Sequence, residues 1–185
     1  MAFRLSPRAL IVLVLAAVIA LVFVGWTILA YNGLVAKQQT AAAQWAQAET
    51  VFQRKIDLIP SLVATVEQYQ QFERSTLENI TALRTQWQNA SNFQQRVNIS
   101  NALNAQLYDI QLTYEAYPEL QSISAVVLLM DELAGSENRI TVERMRYNDA
   151  VRAYNTQVHS FTDLIIAGWF GFADLEYFDP LPGGP

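Results

Sequence analysis

The feature that most constrains this chain is an uncharged apolar stretch near its N-terminus, LIVLVLAAVIALVFVGWTILA at residues 10–30. A helix of this length spans ~30 Å at about 1.5 Å per residue, which matches the hydrocarbon thickness of a bilayer. Trp26 and Tyr31 lie near its far end, where amphipathic rings favour the headgroup region. The stretch therefore predicts a single-pass transmembrane anchor. The alternative is a cleaved signal peptide, whose apolar region would be unusually long.

Few charges flank this anchor, and they set the expected orientation. Arg4, Arg8 and the amino terminus precede it, and only Lys37 follows it closely. Because positive residues favour the cytoplasmic side, we expect the N-terminus in the cytoplasm and residues 31–185 outside it. The expected location is the cell (inner or plasma) membrane.

The rest of the chain is acidic and lacks cysteine. Residues 31–185 carry 10 basic and 17 acidic residues. This balance argues against a nucleic-acid partner, which would need a basic face. With no cysteine in the chain, disulfides, thiolate metal ligands and a lipidated cysteine are excluded.

Helical periodicity predicts an all-α fold after the anchor. The motif DLIP at 57–60 interrupts the pattern. Asp57 is a good N-cap and Pro60 suits a first helical turn, so we expect helices at about 31–56 and 58–88. A kinked continuous helix is the alternative, because a seven-residue spacing continues through the motif. That spacing is carried by Trp45, Phe52, Ile59, Val66, Glu73, Ile80 and Trp87.

Two further helices complete the expected domain. The turn NASN at 89–92 precedes a helix from about 93 to 117, which Pro118 closes. Ser122 or Ser124 begins a helix that runs to about 160. Four helices with short connections predict an antiparallel four-helix bundle over 31–160, with coiled-coil-like seams. The bundle follows the short cytoplasmic stub and anchor of residues 1–30 and precedes an apolar, aromatic tail over 161–185.

The last of these helices repeats a Tyr-Asn pair, Tyr147-Asn148 and Tyr154-Asn155. The tyrosines fall on its apolar seam, which predicts buried rings with hydroxyls that reach a partner. The asparagines lie one step round the helix, where we expect their amides to tie neighbouring helices. We interpret the repeat as a packing seam, whose seven-residue positions are Val126, Leu133, Ile140, Tyr147, Tyr154 and Phe161.

Three charged residues, Glu73, Glu137 and Arg144, also fall on predicted seams. Burying a lone charge costs several kcal/mol, so we expect these residues to pair or to lie near the bundle ends. The functional alternative is a ligand sensor with a polar site in the bundle core around Glu73 and Arg144.

No catalytic or metal-binding constellation is visible in the sequence. Thr156 stands three residues before His159, the only histidine, so the Glu-x-x-His motif of metal-binding bundles is missing. No nucleophile elbow surrounds a serine, and the glycines form no phosphate loop. We therefore expect no enzymatic activity, no cofactor and no metal.

The segment DLIIAGWFGFADLEYF at 163–178 is too apolar for a solvated tail and too short to span a bilayer. In an up-down-up-down bundle it would return to the bilayer surface beside Trp26 and Tyr31. Its aromatic residues, among them Trp169, Phe170 and Phe172, would then lie in the interface or cover the bundle end. If DLIP were only a kink, we would expect the tail far from the lipid.

Seven separate motifs occur in this order along the chain: YNGLV at 31–35, RKIDLIPSLVATV at 54–66, EAYPEL at 115–120, SENRI at 136–140, RYNDAV at 146–151, YNT at 154–156 and GFADLEYF at 171–178. Together they resemble the LemA family of bacterial single-pass membrane proteins. Lys55, Ser61 and Phe72 depart from that family's pattern. The resemblance implies a membrane-anchored helical bundle and brings no agreed biochemical activity. Descriptions of the family often place the short N-terminus outside the cytoplasm, opposite to the charge argument.

The expected function is that of a structural or interaction protein, a scaffold or adaptor for membrane-associated assembly. Its expected partners are the bilayer, through residues 10–30, and either further copies of itself or other membrane proteins. The residues expected to carry structure and interaction are Asp57, Pro60, Glu73, Glu137, Asn138, Arg139, Arg144, Tyr147, Asn148, Tyr154, Asn155, Trp169, Phe170 and Phe172.

Overall fold

The computed structural model describes residues 6–178, and its regular elements there are all helical. The predicted all-α fold is confirmed. Arg4 and residues 179–185 of the predicted tail lie outside the described residues. The helices are α1 (Pro7–Val66), α2 (Arg74–Asn89), α3 (Phe93–Ala116), α4 (Ser124–Val158) and α5 (Asp163–Phe170), with a short 3-10 turn at Leu120–Ser122.

The chain divides into two compact units. The first, here called the anchor unit, comprises Met1–Ala42 and Asp149–Glu176. The second, the bundle unit, comprises Ala43–Asn148 and Tyr177–Pro185. Helices α1 and α4 each contribute residues to both units.

The predicted helix boundary at DLIP is wrong, because α1 continues through Pro60 to Val66. A proline inside a helix removes one backbone hydrogen bond and costs about 3 kcal/mol. Apolar residues on both sides of Pro60 are buried, and each stabilises by about 1.5–3 kcal/mol, so packing offsets that cost. The alternative of a continuous helix is therefore confirmed. The buried residues are Phe52, Ile56, Ile59, Leu62 and Val66.

The chain reverses about ten residues later than predicted, between Val66 and Arg74. The Tyr69 amide donates to the Val66 carbonyl at 2.9 Å, and the Phe72 amide donates to the Tyr69 carbonyl at 3.3 Å. Glu73 ends this turn as the residue before α2 and is exposed. Its predicted seam position is wrong, because the chain is not helical there and the seven-residue spacing no longer defines one face.

The remaining bundle helices begin and end close to their predicted positions. The Asn92 side chain caps α3 by accepting a hydrogen bond from the Gln95 amide at 2.9 Å. Helix α3 ends at Ala116, two residues before Pro118, and α4 runs unbroken through Gly135. Phe161 lies beyond the end of α4 and is 89% exposed, so its predicted seam position is wrong.

Side-chain contacts in the bundle unit define the helix directions. Trp45 on α1 contacts Phe93 near the start of α3, and Lys55 binds Asn104 further along it, so α1 and α3 are parallel. Trp45 also contacts Tyr147, whereas Lys55 binds Glu137, so α1 and α4 are antiparallel. The predicted four-helix packing is built from the second half of α1 with α2, α3 and α4.

In the anchor unit, the first part of α1 is the one described helix long and apolar enough to cross a membrane. Its most apolar 18-residue window is 0% buried in the structure. A core helix of a water-soluble protein would bury such residues, because burial of apolar surface is the main driving force of folding. The exposed apolar surface therefore fits the predicted single-pass anchor.

Candidate functional site

The repeated asparagines bind an extended segment that follows α5. In the anchor unit, the Asn155 amide donates to the Leu175 carbonyl at 2.9 Å, and its oxygen accepts from the Leu175 amide at 2.9 Å. In the bundle unit, Asn148 makes the same pair of bonds to Phe178, at 3.1 and 2.8 Å. Each side chain thus satisfies the donor and the acceptor of one backbone residue. The expectation that these amides tie neighbouring helices is corrected.

The spacing of the repeat has a simple geometric reason. Seven residues of α-helix advance by about 10.5 Å, and three residues of extended chain advance by about 10 Å. Asparagines seven apart on a helix therefore match backbone groups three apart on an extended segment. The Tyr-Asn repeat is a packing seam, as predicted, and it is also a backbone-recognition device.

The two tyrosines of the repeat are both buried, as predicted. Tyr154 has no exposed surface, and its hydroxyl donates to the Ala173 carbonyl at 3.1 Å. Burial raises the pKa of this phenol, and the nearby Asp174 carboxylate raises it further. Tyr147 is 6% exposed, and its ring centroid lies 5.7 Å from that of Trp45 and 5.4 Å from that of Phe93.

Phe178 completes the aromatic cluster in the bundle unit. It has 1% of its surface exposed and lies 6.1 Å from Phe52 and 6.0 Å from Trp45, centroid to centroid. The buried Arg144 guanidinium lies 4.2 Å from the Phe178 ring centroid, a cation–π distance. The Arg144 guanidinium therefore packs against the buried Phe178 ring.

Helix α5 packs against the apolar first part of α1, the candidate membrane helix, in the anchor unit. The Trp169 ring lies 6.2 Å from Phe23, inside the apolar stretch. Tyr31 contacts Phe170 at 4.9 Å and Phe172 at 5.5 Å, again between ring centroids. The predicted position of the tail beside the end of the anchor is confirmed.

The expectation that a continuous helix at DLIP would carry the tail away from the anchor is wrong. Helix α1 is continuous at Pro60, yet the tail still returns to the anchor. The number of chain reversals, not their location, sets the direction of α4. One reversal between Val66 and Arg74 replaces the one expected at DLIP.

Gly33 leaves room for the Gln157 side chain between α1 and α4 in the anchor unit. A Cβ at Gly33 would lie 2.8 Å from the Gln157 amide nitrogen. That amide donates to Asp163, at the first residue of α5, at 2.7 Å. The same face holds Lys37, whose ammonium donates to the Ala153 carbonyl at 3.2 Å. This unit is therefore held by directional polar contacts around a small apolar core.

The bundle unit contains a buried polar triad that joins three helices. Lys55 on α1 is 3% exposed, and its ammonium donates to the Asn104 oxygen on α3 at 2.7 Å. It also forms an ion pair with Glu137 on α4, and the Asn104 amide donates to that carboxylate at 3.3 Å. Burial lowers the pKa of Lys55, and Glu137 opposes that shift by attraction and hydrogen bonding.

Glu137 was expected to pair, and Lys55 is its partner. Sequence reasoning missed Lys55 as a core residue, although a signal was present. Lys55 lies seven residues after Ala48 and seven before Leu62, and both of these are fully buried. A lysine on an apolar stripe predicts a buried cation that needs a carboxylate.

The remaining predicted site residues lie at the surface. Asp57 and Pro60 are exposed within α1, and the Asp57 carboxylate accepts from Gln53 at 2.8 Å rather than capping a helix. Asn138 and Arg139 are exposed on α4. With Glu73 also exposed, the polar core site expected around Glu73 and Arg144 is not formed as predicted.

Comparison with known proteins agrees with the resemblance seen in the sequence. Residues 44–182 match the family model described as the LemA family. The chain is also similar to two proteins of Paramagnetospirillum magneticum, named Magnetosome protein MamQ 2 and Magnetosome protein MamQ 1. Each is 24% identical over 203 residues, an alignment that covers 96% of this chain and 74% of the relative. With most of its length matched by the family model, the chain belongs to the LemA family.

Proposed function

We propose that this protein is a membrane-anchored structural and interaction protein, a scaffold or adaptor for membrane-associated assembly with no catalysis of its own. The observation that carries the proposal is the packing of α5 against the membrane helix. Trp169 contacts Phe23 with one edge and is still 63% exposed, and Phe170 is 55% exposed. Aromatic rings continuous with a membrane span fit the bilayer interface.

The occupant of this exposed aromatic face is the lipid headgroup region. Leu164 and Ile165 on α5 are also about half exposed, at 51% and 48%. A helix of eight residues is too short to span, so it lies in the plane of the interface. The membrane helix and α5 together then hold the anchor unit at the bilayer by two contacts instead of one.

Quenching by brominated lipid tests this placement. In a variant with Trp169 as the only tryptophan, the other three being replaced by Phe, reconstitution into vesicles with brominated acyl chains should quench its fluorescence. A matched variant that keeps only Trp26 reports insertion of the anchor. Quenching of Trp26 without quenching of Trp169 would contradict the interfacial position of α5.

The proposed contact with protein partners is the outer face of α4 in the bundle unit. Leu128 is 69% exposed, Val142 39% and Met145 56%. Asn138 precedes Val142 by one helical turn and so lies on the same face. Exposed apolar side chains interspersed with polar ones are typical of non-obligate interfaces. The proposed partners are further copies of this chain or other membrane proteins.

Site-specific photo-crosslinking in native membranes tests this surface. A photoreactive residue at position 145 should give discrete crosslinked bands, whereas one at Glu78, an exposed ion-paired residue on α2, should not. Mass spectrometry of the bands separates a second copy from a different protein. Monomer alone from position 145, or the same bands from both positions, would contradict the proposal.

The relatives support a role in a membrane-associated assembly, and the charge pattern supports a cytoplasmic N-terminus. The two relatives are named for the magnetosome, and a part in a membrane-associated assembly is what we carry over to this chain. We further propose the cytoplasmic N-terminus that the flanking charges favour. A reporter active only outside the cytoplasm, fused after Pro185, should be active. A silent fusion, with a cytoplasmic reporter active at the same place, would reverse the orientation.

A further inference from the structure

The bundle unit contains a cavity of about 680 Å³ between α1, α3 and α4. Ligand pockets of proteins fall in the range of about 300–1,000 Å³. The apolar part of the lining includes Leu107, Met130 and Leu133, which are each less than 10% exposed. An apolar floor of this kind accommodates a hydrocarbon chain.

The inner wall of the cavity is the polar triad of Lys55, Asn104 and Glu137. Two acceptors, Asn104 and Glu137, already hold the Lys55 ammonium. The Asn101 side-chain oxygen, on the same wall, is enclosed and has no hydrogen-bond donor among residues 6–178. Enclosed acceptors without donors are costly, so this wall favours a ligand that brings N–H groups.

The rim of the cavity is negatively charged. The exposed residues Asp109, Glu115 and Asp131 line it, whereas Glu137 on the inner wall is paired with Lys55. Within the described part of the chain, these carboxylates do not form a group close enough to hold a metal ion. Separated carboxylates match a ligand whose positive charges are themselves separated by a chain. Tyr108 and Tyr114 also line the cavity, and aromatic faces attract organic cations.

From this arrangement we infer that the cavity binds an amphipathic organic amine, either an alkyl diamine or a polyamine. Its chain lies on Leu107, Met130 and Leu133, and one ammonium donates to the enclosed Asn101 oxygen, while Glu137 stays paired with Lys55. The other ammonium stays at the rim near Asp131. This site is independent of the proposed scaffold role, which rests on α5 and the outer face of α4.

Calorimetric titration of the full chain in lipid nanodiscs tests the inference, with a linear eight-carbon diamine as probe. We expect saturable binding at one site per chain. The matching eight-carbon diol, which has the same chain and no charge, should bind at least tenfold more weakly. Equal binding of the diol would overturn the assignment of a cationic ligand.

Two substitutions that each remove one negative charge test whether binding depends on the cavity or only on net charge. Asp131→Asn removes an exposed carboxylate at the rim and should weaken diamine binding about fivefold, the equivalent of roughly 1 kcal/mol. Glu67→Gln removes an exposed carboxylate outside the cavity and should leave the affinity unchanged. Equal weakening by both variants, or full competition by magnesium at equal concentration, would reduce the effect to general charge screening and overturn the site.

Discussion

The two units of this protein are stabilised in different ways. The bundle unit buries large apolar side chains from four helices, with Phe52, Ile80 and Ile140 among those fully enclosed. The anchor unit has a small core of Ala30, Leu34, Tyr154, Val158, Ile166 and Ala167, and an extended segment held by hydrogen bonds. Hydrophobic burial is non-directional, whereas hydrogen bonds need particular partners. The anchor unit should therefore be the more sensitive to single polar substitutions.

The largest expected effects come from the two tyrosines, one in each unit. Tyr147→Ala and Tyr154→Ala should each destabilise the fold by about 3–5 kcal/mol, the range for emptying a buried aromatic site. Tyr154→Phe, which removes only the hydroxyl bonded to Ala173, should cost about 1 kcal/mol. Denaturant unfolding of the reconstituted chain measures all three. A cost below about 1 kcal/mol for either alanine variant would mean that its ring does not contribute to a core.

The next effect concerns the triad in the bundle unit. Lys55→Met leaves the Glu137 carboxylate without its cation and should destabilise by about 2 kcal/mol. That is below the usual 3–5 kcal/mol for breaking a buried pair, because the Glu137 side chain is 35% exposed. The double variant Lys55→Met/Glu137→Leu should recover most of the loss, since an apolar pair needs no compensation. If the double variant were destabilised by the sum of the two single substitutions, the two residues would not interact.

A smaller loss of stability is expected from substituting the two asparagines, one of which lies in the anchor unit and one in the bundle unit. Asn155→Ala should destabilise by about 1–2 kcal/mol, because each side chain makes two backbone hydrogen bonds. Asn148→Ala should cost less, because the aromatic cluster also holds Phe178. Amide hydrogen exchange at Leu175 and at Phe178 reports separately on the hydrogen-bond pairs made by Asn155 and by Asn148. The exposed Asn138→Ala variant is the control. Unchanged exchange at Leu175 in Asn155→Ala would show that Asn155 does not hold the Leu175 backbone.

The smallest expected effects are the alkaline responses of the two units, which have opposite signs. The folded chain releases the Lys55 proton at a pKa below the unfolded value of 10.5, so the unfolded state binds more protons in that window. The contribution of Lys55 to the free energy of unfolding therefore rises as pH increases toward 10.5. Tyr154 keeps its proton above the unfolded pKa of 10.0, so its contribution is lost as pH rises through the raised folded pKa.

Unfolding midpoints over this pH range separate the two contributions. The unsubstituted chain should gain stability relative to Lys55→Met as pH approaches 10.5. It should lose stability relative to Tyr154→Phe above pH 10.0. Parallel pH profiles for the chain and either variant would show that the residue in question does not titrate differently in the two states.

The sequence by itself determined the features that depend on local pattern. An uncharged run of apolar residues identifies a candidate membrane-spanning helix, because its length and composition match those that a bilayer requires. Helices α3 and α4 follow from apolar periodicity between turn residues, and the burial of Tyr147 and Tyr154 follows from their seam positions. The family was also evident from short motifs, since these are read residue by residue.

Only the tertiary structure decided the features that depend on contacts between distant residues. Whether Pro60 ends a helix depends on packing on both sides of it, and that packing outweighs a local preference. The pairing of Lys55 with Glu137 joins residues 82 positions apart. Asn148 and Asn155 bind backbone groups, which have no side-chain signature, so no pattern in the sequence could name Phe178 and Leu175 as partners. Polar side chains accept many partners, and the fold alone brings one of them within hydrogen-bonding distance.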